Sequence, residues 1–279
     1  MEYKVLNNGI KMPKMALGTF KLDVNDENEA AIVKALNLGF RHIDTATWYH
    51  NEDMVGKAVK KSGIKREEIF ITTKLNNDTR GYDETKKAIE LSLMMLGVEY
   101  LDLYLLHWPA PVKFRHDYNN YNLQSWRAME EYYKLGKIKA IGVSNFMVHH
   151  FEGFYDEVEI KPMVNQIEIH PGYCDENVVE YCHKHDIAIV AYSPLGRGNL
   201  IDDDRVKMIA ESLKKSPSQV LISYIISQYD ACIVRSTNQK HLIDNLNVDF
   251  ILDEKTIKIL ASDNDKANRL SKDPDNSNQ

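Results

Sequence analysis

The chain holds 279 residues, 43% of them hydrophobic; that is enough to bury a large core, and an α/β barrel of this length is one domain, here 1–279. Its 35 basic and 41 acidic residues give a net charge of -6, which argues against a nucleic-acid surface but leaves a phosphate-bearing small molecule open. Cys174, Cys182 and Cys232 form no CxxC pair and leave an odd one, so a disulfide framework or structural zinc is not expected and a reducing compartment fits.

The chain opens on MEYKVLNNGIKMP, which is polar, and no later run approaches the ~18 apolar residues of a membrane span. A cytoplasmic chain is expected. Asn8-Gly9 lies between Tyr3 to Leu6 and Ile10 to Met12, a pattern that predicts an N-terminal β-hairpin over 1–13 with a type I′ turn, acting as a lid or plug. Short apolar runs then recur: LGTF near 17, FRHIDT at 40, IFITTK at 69, LDLYLLH at 101, AIGVSN at 140, MVNQIE at 163, AIVAYSP at 188 and ACIVRS at 231. These are eight candidate strands. Amphipathic stretches separate them. After Asn51, a helix carries Met54, Val55, Ala58 and Val59 on one face. A later one places Ile89, Leu93 and Leu96 at i, i+4 and i+7, with Asp83 as its expected cap and Gly97 at its left-handed end.

Strands apolar nearly throughout, as in LDLYLLH, imply a parallel sheet buried on both faces. Eight β-then-α units spaced by roughly 30 residues point to one closed (β/α)8 TIM barrel. The last stretch, NDKANRLSKDPDNSNQ, has no periodicity, so 265–279 is expected to be a polar surface tail.

In such a barrel, catalytic groups gather where strands end. The reactive residues ending the apolar runs are Asp44, Lys74, His107 and the pair Ser144-Asn145. Taken singly, each has an ordinary structural reading: Lys74 snorkelling, His107 as a satisfied core histidine, Asp44 capping the next helix and Tyr49 packing. The shared position of Asp44, Lys74 and His107 makes those three one hypothesis. His183, His185 and Cys182 lie on a predicted helix, where i and i+2 do not share a face, so no metal site is expected there.

The words GFRHIDTATWYHNE from Gly39, FITTKL from Phe70, LDLYLLHWP from Leu101, GKIKAIGVSNF from Gly136, VNQIEIHP from Val164 and AYSPLGRG from Ala191 resemble the aldo-keto reductase family in order and spacing. The resemblance covers essentially the whole chain. It implies an oxidoreductase that reduces aldehydes, ketones or α-dicarbonyls with NADPH, NADH being possible. It makes Tyr49 the proton donor, Lys74 and Asp44 its tuning pair, and His107 the partner that orients the carbonyl. A nearby ammonium favours phenolate, so the Tyr49 phenol is expected below its ordinary value.

By the same resemblance, Ser144, Asn145 and Gln166 hold the nicotinamide carboxamide, Tyr192 stacks on the ring, and Ser193, Leu195 and Gly196 lie by the pyrophosphate. Gly18 and Thr19 join the cofactor set. No GxGxxG opens a βαβ unit, so this is not a Rossmann dehydrogenase by motif. The 2′-phosphate segment departs from the family's usual I-P-K-S with following arginine and E-N. Here IVRSTNQKHLIDN places Arg235, Ser236, His241 and Asn245, with Val234 for proline and Asp244 for glutamate. The family's GTW becomes Gly18-Thr19-Phe20, and Asn76 replaces a frequent tryptophan.

Phe20, Trp48 and Trp108 are expected to line the substrate pocket, with Tyr118 and Tyr121 as lids on a loop. Two other classes were weighed: a nicotinamide-binding regulatory subunit serving a protein partner, and a metal-dependent barrel hydrolase. The complete tetrad and short tail favour the reductase, and only His107 ends a strand, with His170 just beyond another. The partner is therefore a small carbonyl compound, with no metal, nucleic acid or membrane, and a monomer or weak oligomer is expected.

Overall fold

A computed structural model describes residues 2–276. Strands β1 (Tyr3–Val5) and β2 (Lys11–Pro13) pair antiparallel, so the expected hairpin forms. Its turn differs. The Gly9 N–H donates to the Leu6 carbonyl at 2.8 Å and the Leu6 N–H to the Ile10 carbonyl at 2.9 Å, closing a three-residue loop. Only Gly9 in that loop takes a positive φ, 85°, whereas type I′ needs two such residues. Asn8 instead spends its side chain: Oδ1 accepts the Ile10 N–H and Nδ2 donates to the Lys139 carbonyl. Asn7 reaches the Pro162 and Asp186 carbonyls. These anchors immediately precede strands seven to nine, so the hairpin plugs the barrel's N-terminal end and is no lid over the strand ends.

The expected eight strands are β3 (Met15–Gly18), β4 (His42–Asp44), β5 (Phe70–Leu75), β6 (Leu103–Leu106), β7 (Ile141–Ser144), β8 (Val164–Glu168), β9 (Ala188–Tyr192) and β10 (Ala231–Val234). All pair in parallel, and β10 meets both β9 and β3, closing the barrel. Register sets the mouth: Gly18 lies opposite Asp44, Lys74 opposite Leu105, Ser144 opposite Gln166 and Glu168 opposite Tyr192. Residues of these strands are buried almost throughout, as a sheet covered on both faces requires.

The outer helices follow in order: α1 (Asp26–Leu38), α2 (Glu52–Ser62), α3 (Tyr82–Leu96), α4 (Tyr118–Lys134), the single-turn α5 (Val148–Phe151), α6 (Glu176–Lys184), α7 (Asp204–Leu213), α8 (Pro217–Gln228), α9 (Gln239–Leu246) and α10 (Glu254–Ala261). Helix α2 buries Met54, Val55, Ala58 and Val59 as its periodicity demands, and α3 buries Ile89, Leu93 and Leu96 and ends at left-handed Gly97. Asp83 does not cap α3. The N-cap is Gly81 without a side-chain bond, and Asp83 sits inside the first turn, where its charge favours the helix dipole. Helices α2 and α3 approach so closely that a Cβ on Gly56 would lie 2.2 Å from the Leu96 carbonyl oxygen.

The expected surface tail is tied down over its described part, while residues 277–279 lie outside the described residues. Glu168 accepts the Leu270 and Ser271 N–H groups, both at 2.7 Å, and Asn268 donates to the Gly172 carbonyl. Polar bonds to the loop after β8 hold this strap, and hydrophobic periodicity cannot register them. Among the described residues, no helix is long and apolar enough to cross a membrane.

Candidate active site

The strand ends bring the four candidate groups together. Asp44 closes β4, Lys74 lies near the end of β5, His107 follows β6, and Tyr49 ends a short 3-10 turn, Thr47–Tyr49. That turn is pinned to the barrel: Thr47 Oγ1 donates to the Lys74 carbonyl at 3.1 Å. Asn51, which sequence reading passed over, is fully buried just beyond it and bonds the Thr19 and Leu22 carbonyls while accepting from Thr45 Oγ1. It clamps the segments on either side of Tyr49.

Lys74 is wholly buried. Its Nζ donates to Asp44 Oδ1 at 2.6 Å, to the Thr45 carbonyl at 2.9 Å and to Tyr49 Oη at 3.4 Å. An ammonium has three donors and no acceptor. All three are therefore directed, and Tyr49 must accept from Lys74, leaving its own proton for another partner. Gln166 Nε2 donates to the second Asp44 oxygen at 2.8 Å.

Burial dominates the titration of the group. It pushes Lys74 down, against the pull of Asp44 upward. It raises the Tyr49 phenol well above its ordinary value, with the Asp44 charge adding to the rise. The expectation of a lowered phenol is thereby corrected: desolvation of the phenolate outweighs an ammonium already neutralised by its carboxylate. His107 is held well below its ordinary value by burial, then by Lys74 and Arg80, so it is a neutral imidazole. Its Nδ1 is buried without a hydrogen-bond partner. A bare acceptor costs less than a bare N–H, so the proton belongs on Nε2.

The residues expected to hold the carboxamide lie together beside the tetrad. Ser144 Oγ donates to the Gln166 carbonyl, and Asn145 Nδ2 donates to the His107 carbonyl at 2.9 Å. Tyr192 Oη donates to Asn145 Oδ1 at 2.7 Å. Beyond β9, Ser193 has φ 57°, and Gly196, Arg197 and Gly198 are all left-handed. This turn presents exposed Arg197, another residue the sequence reading missed, though it stands inside the quoted word AYSPLGRG. Arg235 and His241 are exposed and Ser236 is half-buried after β10, while Asn245 is buried with its Oδ1 unpartnered. Gly18 is required by close packing, since a Cβ would meet Ile233 at 2.7 Å. Thr19 is fully buried and its hydroxyl is spent on the Asp44 carbonyl, so it supports the β4 end from behind.

Phe20 stacks on Trp48 at 6.0 Å and lies 5.1 Å from the Tyr49 ring. Trp108 is nearly covered, and its carbonyl accepts from buried Arg80 at 2.7 Å. Arg80 was not anticipated; it ties the loop after β5 to the loop after β6 through carbonyls and Asn122. The expected lids are corrected. Tyr118 and Tyr121 begin α4, where Tyr118 packs on His150 and Tyr121 on Phe114, because the loop is shorter than its polar sequence suggests. Cys182 and His185 serve packing, on Asn165 and Tyr181 respectively. Among the described residues, the cluster that could hold a metal is His149, His150 and Asp275. There His150 Nδ1 accepts the Met147 N–H, so the Nε2 proton faces Asp275 at 2.9 Å, and burial holds the imidazole down to about 4, as a neutral donor.

The model of the Aldo/keto reductase family matches residues 14–265. The chain belongs to that family. As an aldo/keto reductase it is an NAD(P)H-dependent oxidoreductase of carbonyl groups. The glyoxal reductase of Bacillus subtilis (strain 168) is 42% identical over 269 residues, covering 96% of this chain and 92% of that protein. The 9,11-endoperoxide prostaglandin H2 reductase of Trypanosoma cruzi (strain CL Brener) is 40% identical, covering 97% and 94%. Among solved structures, a Gox0644 variant in complex with NADPH superposes on this aldo/keto reductase with a TM-score of 0.91 at 36% identity, over 99% of this chain and 98% of that one. A Bombyx mori aldo-keto reductase in complex with NADP gives 0.86 at 33% identity, over 94% and 92%.

Proposed function

We propose that this aldo/keto reductase reduces small aldehydes, ketones and α-dicarbonyls to alcohols with NADPH, Tyr49 supplying the proton. The observation that supports the reading is the three-way bonding of Lys74, in which Tyr49 accepts from the lysine and so keeps its own proton for a substrate. Relatives named glyoxal reductase and putative methylglyoxal reductase support the substrate class. So does the flat aromatic wall of Phe20 and Trp48, which favours compact or planar carbonyls over branched ones. The unpaired cysteines fit a reducing, cytoplasmic setting.

The residues fit the cofactor. Asn245 on α9 keeps a buried Oδ1 without a partner, and Arg235 is exposed just past β10, which suits an adenosine end, and Tyr192 is half-exposed next to the Ser144, Asn145 and Gln166 group. When bound, NADPH supplies the hydride to the carbonyl carbon. His107 Nε2–H donates to the carbonyl oxygen and stabilises the charge that builds there. Tyr49 gives up its proton to that oxygen, an alkoxide more basic than phenolate, so the raised phenol still transfers downhill. Lys74 then steadies the phenolate until it is reprotonated.

Following NADPH oxidation with methylglyoxal and phenylglyoxal tests the reading. Tyr49→Phe is expected to lower kcat on the order of 10²-fold or more while NADPH binding is retained. Near-normal turnover would remove Tyr49 from the mechanism.

A further inference from the structure

The strap that follows α10 crosses the barrel mouth beside the proposed cofactor cradle, and one buried carboxylate organises it. Glu168 is 4% exposed, and among the described residues it forms no ion pair with a lysine or arginine, although Arg269 lines the same small cavity. Its partners are the Leu270 and Ser271 N–H groups at 2.7 Å and His170 Nε2 at 3.1 Å. Burial opposes its charge, yet these hydrogen bonds hold it below the ordinary carboxylate range. Among the described residues its ion-pair partner is His170, just past the end of β8, and its other bonds go to the strap. The β8–β9 ladder is already complete through the pair Glu168 and Tyr192.

The position of the carboxylate suggests what it serves. It lies two residues past Gln166 on β8 and directly opposite Tyr192 on β9. Ser271, the strap residue it grips, faces the Tyr192 hydroxyl. A cavity of ≈ 20 Å³ is lined jointly by Asn145 and Tyr192 and by strap residues Arg269, Ser271 and Pro274. The strap's other fastenings are polar: Arg269 donates to Tyr173 Oη, and Asp275 lies 2.8 Å from His149 Nε2. A segment fastened by polar bonds, with few buried apolar side chains, opens far more readily than the barrel beneath it.

We propose that Glu168 is a positioning residue: through the strap Arg269–Asp275 it braces Tyr192, and so sets how tightly and for how long the nicotinamide end of the cofactor is held. This rests on the reading that Tyr192 is the stacking platform. The strap closes over the outer side of the cradle, and release of cofactor requires it to loosen.

The test is NADPH binding without turnover. Affinity is measured by cofactor fluorescence and dissociation by stopped flow, in the parent chain, Glu168→Gln, Ser271→Pro and Tyr192→Ala, and in the double variant Glu168→Gln with Tyr192→Ala. Glu168→Gln removes one of the two acceptors, and Ser271→Pro removes one strap N–H while leaving the barrel untouched. Each is expected to weaken NADPH binding about tenfold, expressed as faster dissociation. The KM for methylglyoxal should stay within about twofold, and the double variant should be no weaker than Tyr192→Ala alone. A general loosening of the fold would move KM, kcat and affinity together. If Tyr192→Ala weakens binding but Ser271→Pro and Glu168→Gln bind as the parent does, the strap role is overturned and the cofactor placement stands. If Tyr192→Ala itself binds normally, the platform reading fails and takes this proposal with it. Should Glu168→Gln not fold, Ser271→Pro decides alone.

Discussion

Replacing Lys74 by methionine separates the chemistry of the site from its stability. Methionine fills a similar volume, so the variant loses three hydrogen bonds and a charge more than packing. Asp44 is 3% exposed and has Lys74 on one oxygen and Gln166 on the other. Removing the ammonium strands a buried carboxylate, at a cost of about 3 to 5 kcal/mol. For a chain of this size each kcal/mol moves Tm by about 2 °C, so a fall of about 6 to 10 °C is expected. The reductase rate should drop on the order of 10²-fold or more, because nothing then stabilises the Tyr49 phenolate.

The double variant Asp44→Asn with Lys74→Met carries no stranded charge and should recover most of the lost Tm without recovering activity. Calorimetry and NADPH oxidation on the four proteins of the cycle read both outcomes. A Lys74→Met enzyme with parental Tm and turnover, or a double variant that regains activity, would falsify the assignment.

Arg235→Ala is expected to reduce the ratio of kcat/KM for NADPH over NADH about tenfold, through loss of a charge-assisted contact to the 2′-phosphate; an unchanged ratio moves that contact elsewhere, with exposed Arg197 and Lys240 as candidates. Gly56→Ala forces the α2–α3 contact apart, because its Cβ would sit 2.2 Å from a carbonyl oxygen, and denaturant melts should show a loss of about 1 to 3 kcal/mol; a neutral result contradicts the packing. Burial holds His42 down to about 4 from 6.5, so its contribution is fully present above pH ~6.5 and is lost as pH falls toward ~4, by about 3 kcal/mol in all. Unfolding free energies of the parent and His42→Gln between those limits check this: the parent should lose more than the variant.

The barrel was legible because burial on both faces leaves strands apolar throughout, and LDLYLLH or AIVAYSP cannot be read as surface. Asp44, Lys74 and His107 stood out because they terminate or follow those runs, whereas Tyr49, on the turn after β4, entered only through the family resemblance. What escaped was held by bonds that leave no periodic trace. Asn51 and Arg80 look like ordinary loop polars in sequence, yet both are buried hubs bonded mainly to backbone carbonyls, those of Thr19 and Leu22 for Asn51 and of Asn76, Thr79 and Trp108 for Arg80. The tail is mostly exposed, as expected, but its hold on Glu168 escaped because it runs through backbone N–H groups that any residue carries. The hairpin turn was misread because Asn-Gly supports two turn geometries, and the choice was made by Asn8 reaching Lys139 across the barrel floor.

The site also shows why one carboxylate governs two protons. Burial alone drives Lys74 toward the neutral amine and Tyr49 toward the protonated phenol. A neutral amine could accept from Tyr49, which would turn the phenolic proton inward, away from any substrate. Asp44 at 2.6 Å opposes that by favouring the ammonium, and an ammonium can only donate. The direction of the Tyr49 hydrogen bond is thus set by Asp44, a residue with no bond to the tyrosine. The same reasoning assigns Gln166 a second duty: by donating to the other Asp44 oxygen it stabilises the ionised carboxylate on which the arrangement depends, so a change in the proposed cofactor cradle reaches the proposed proton donor through a single shared side chain.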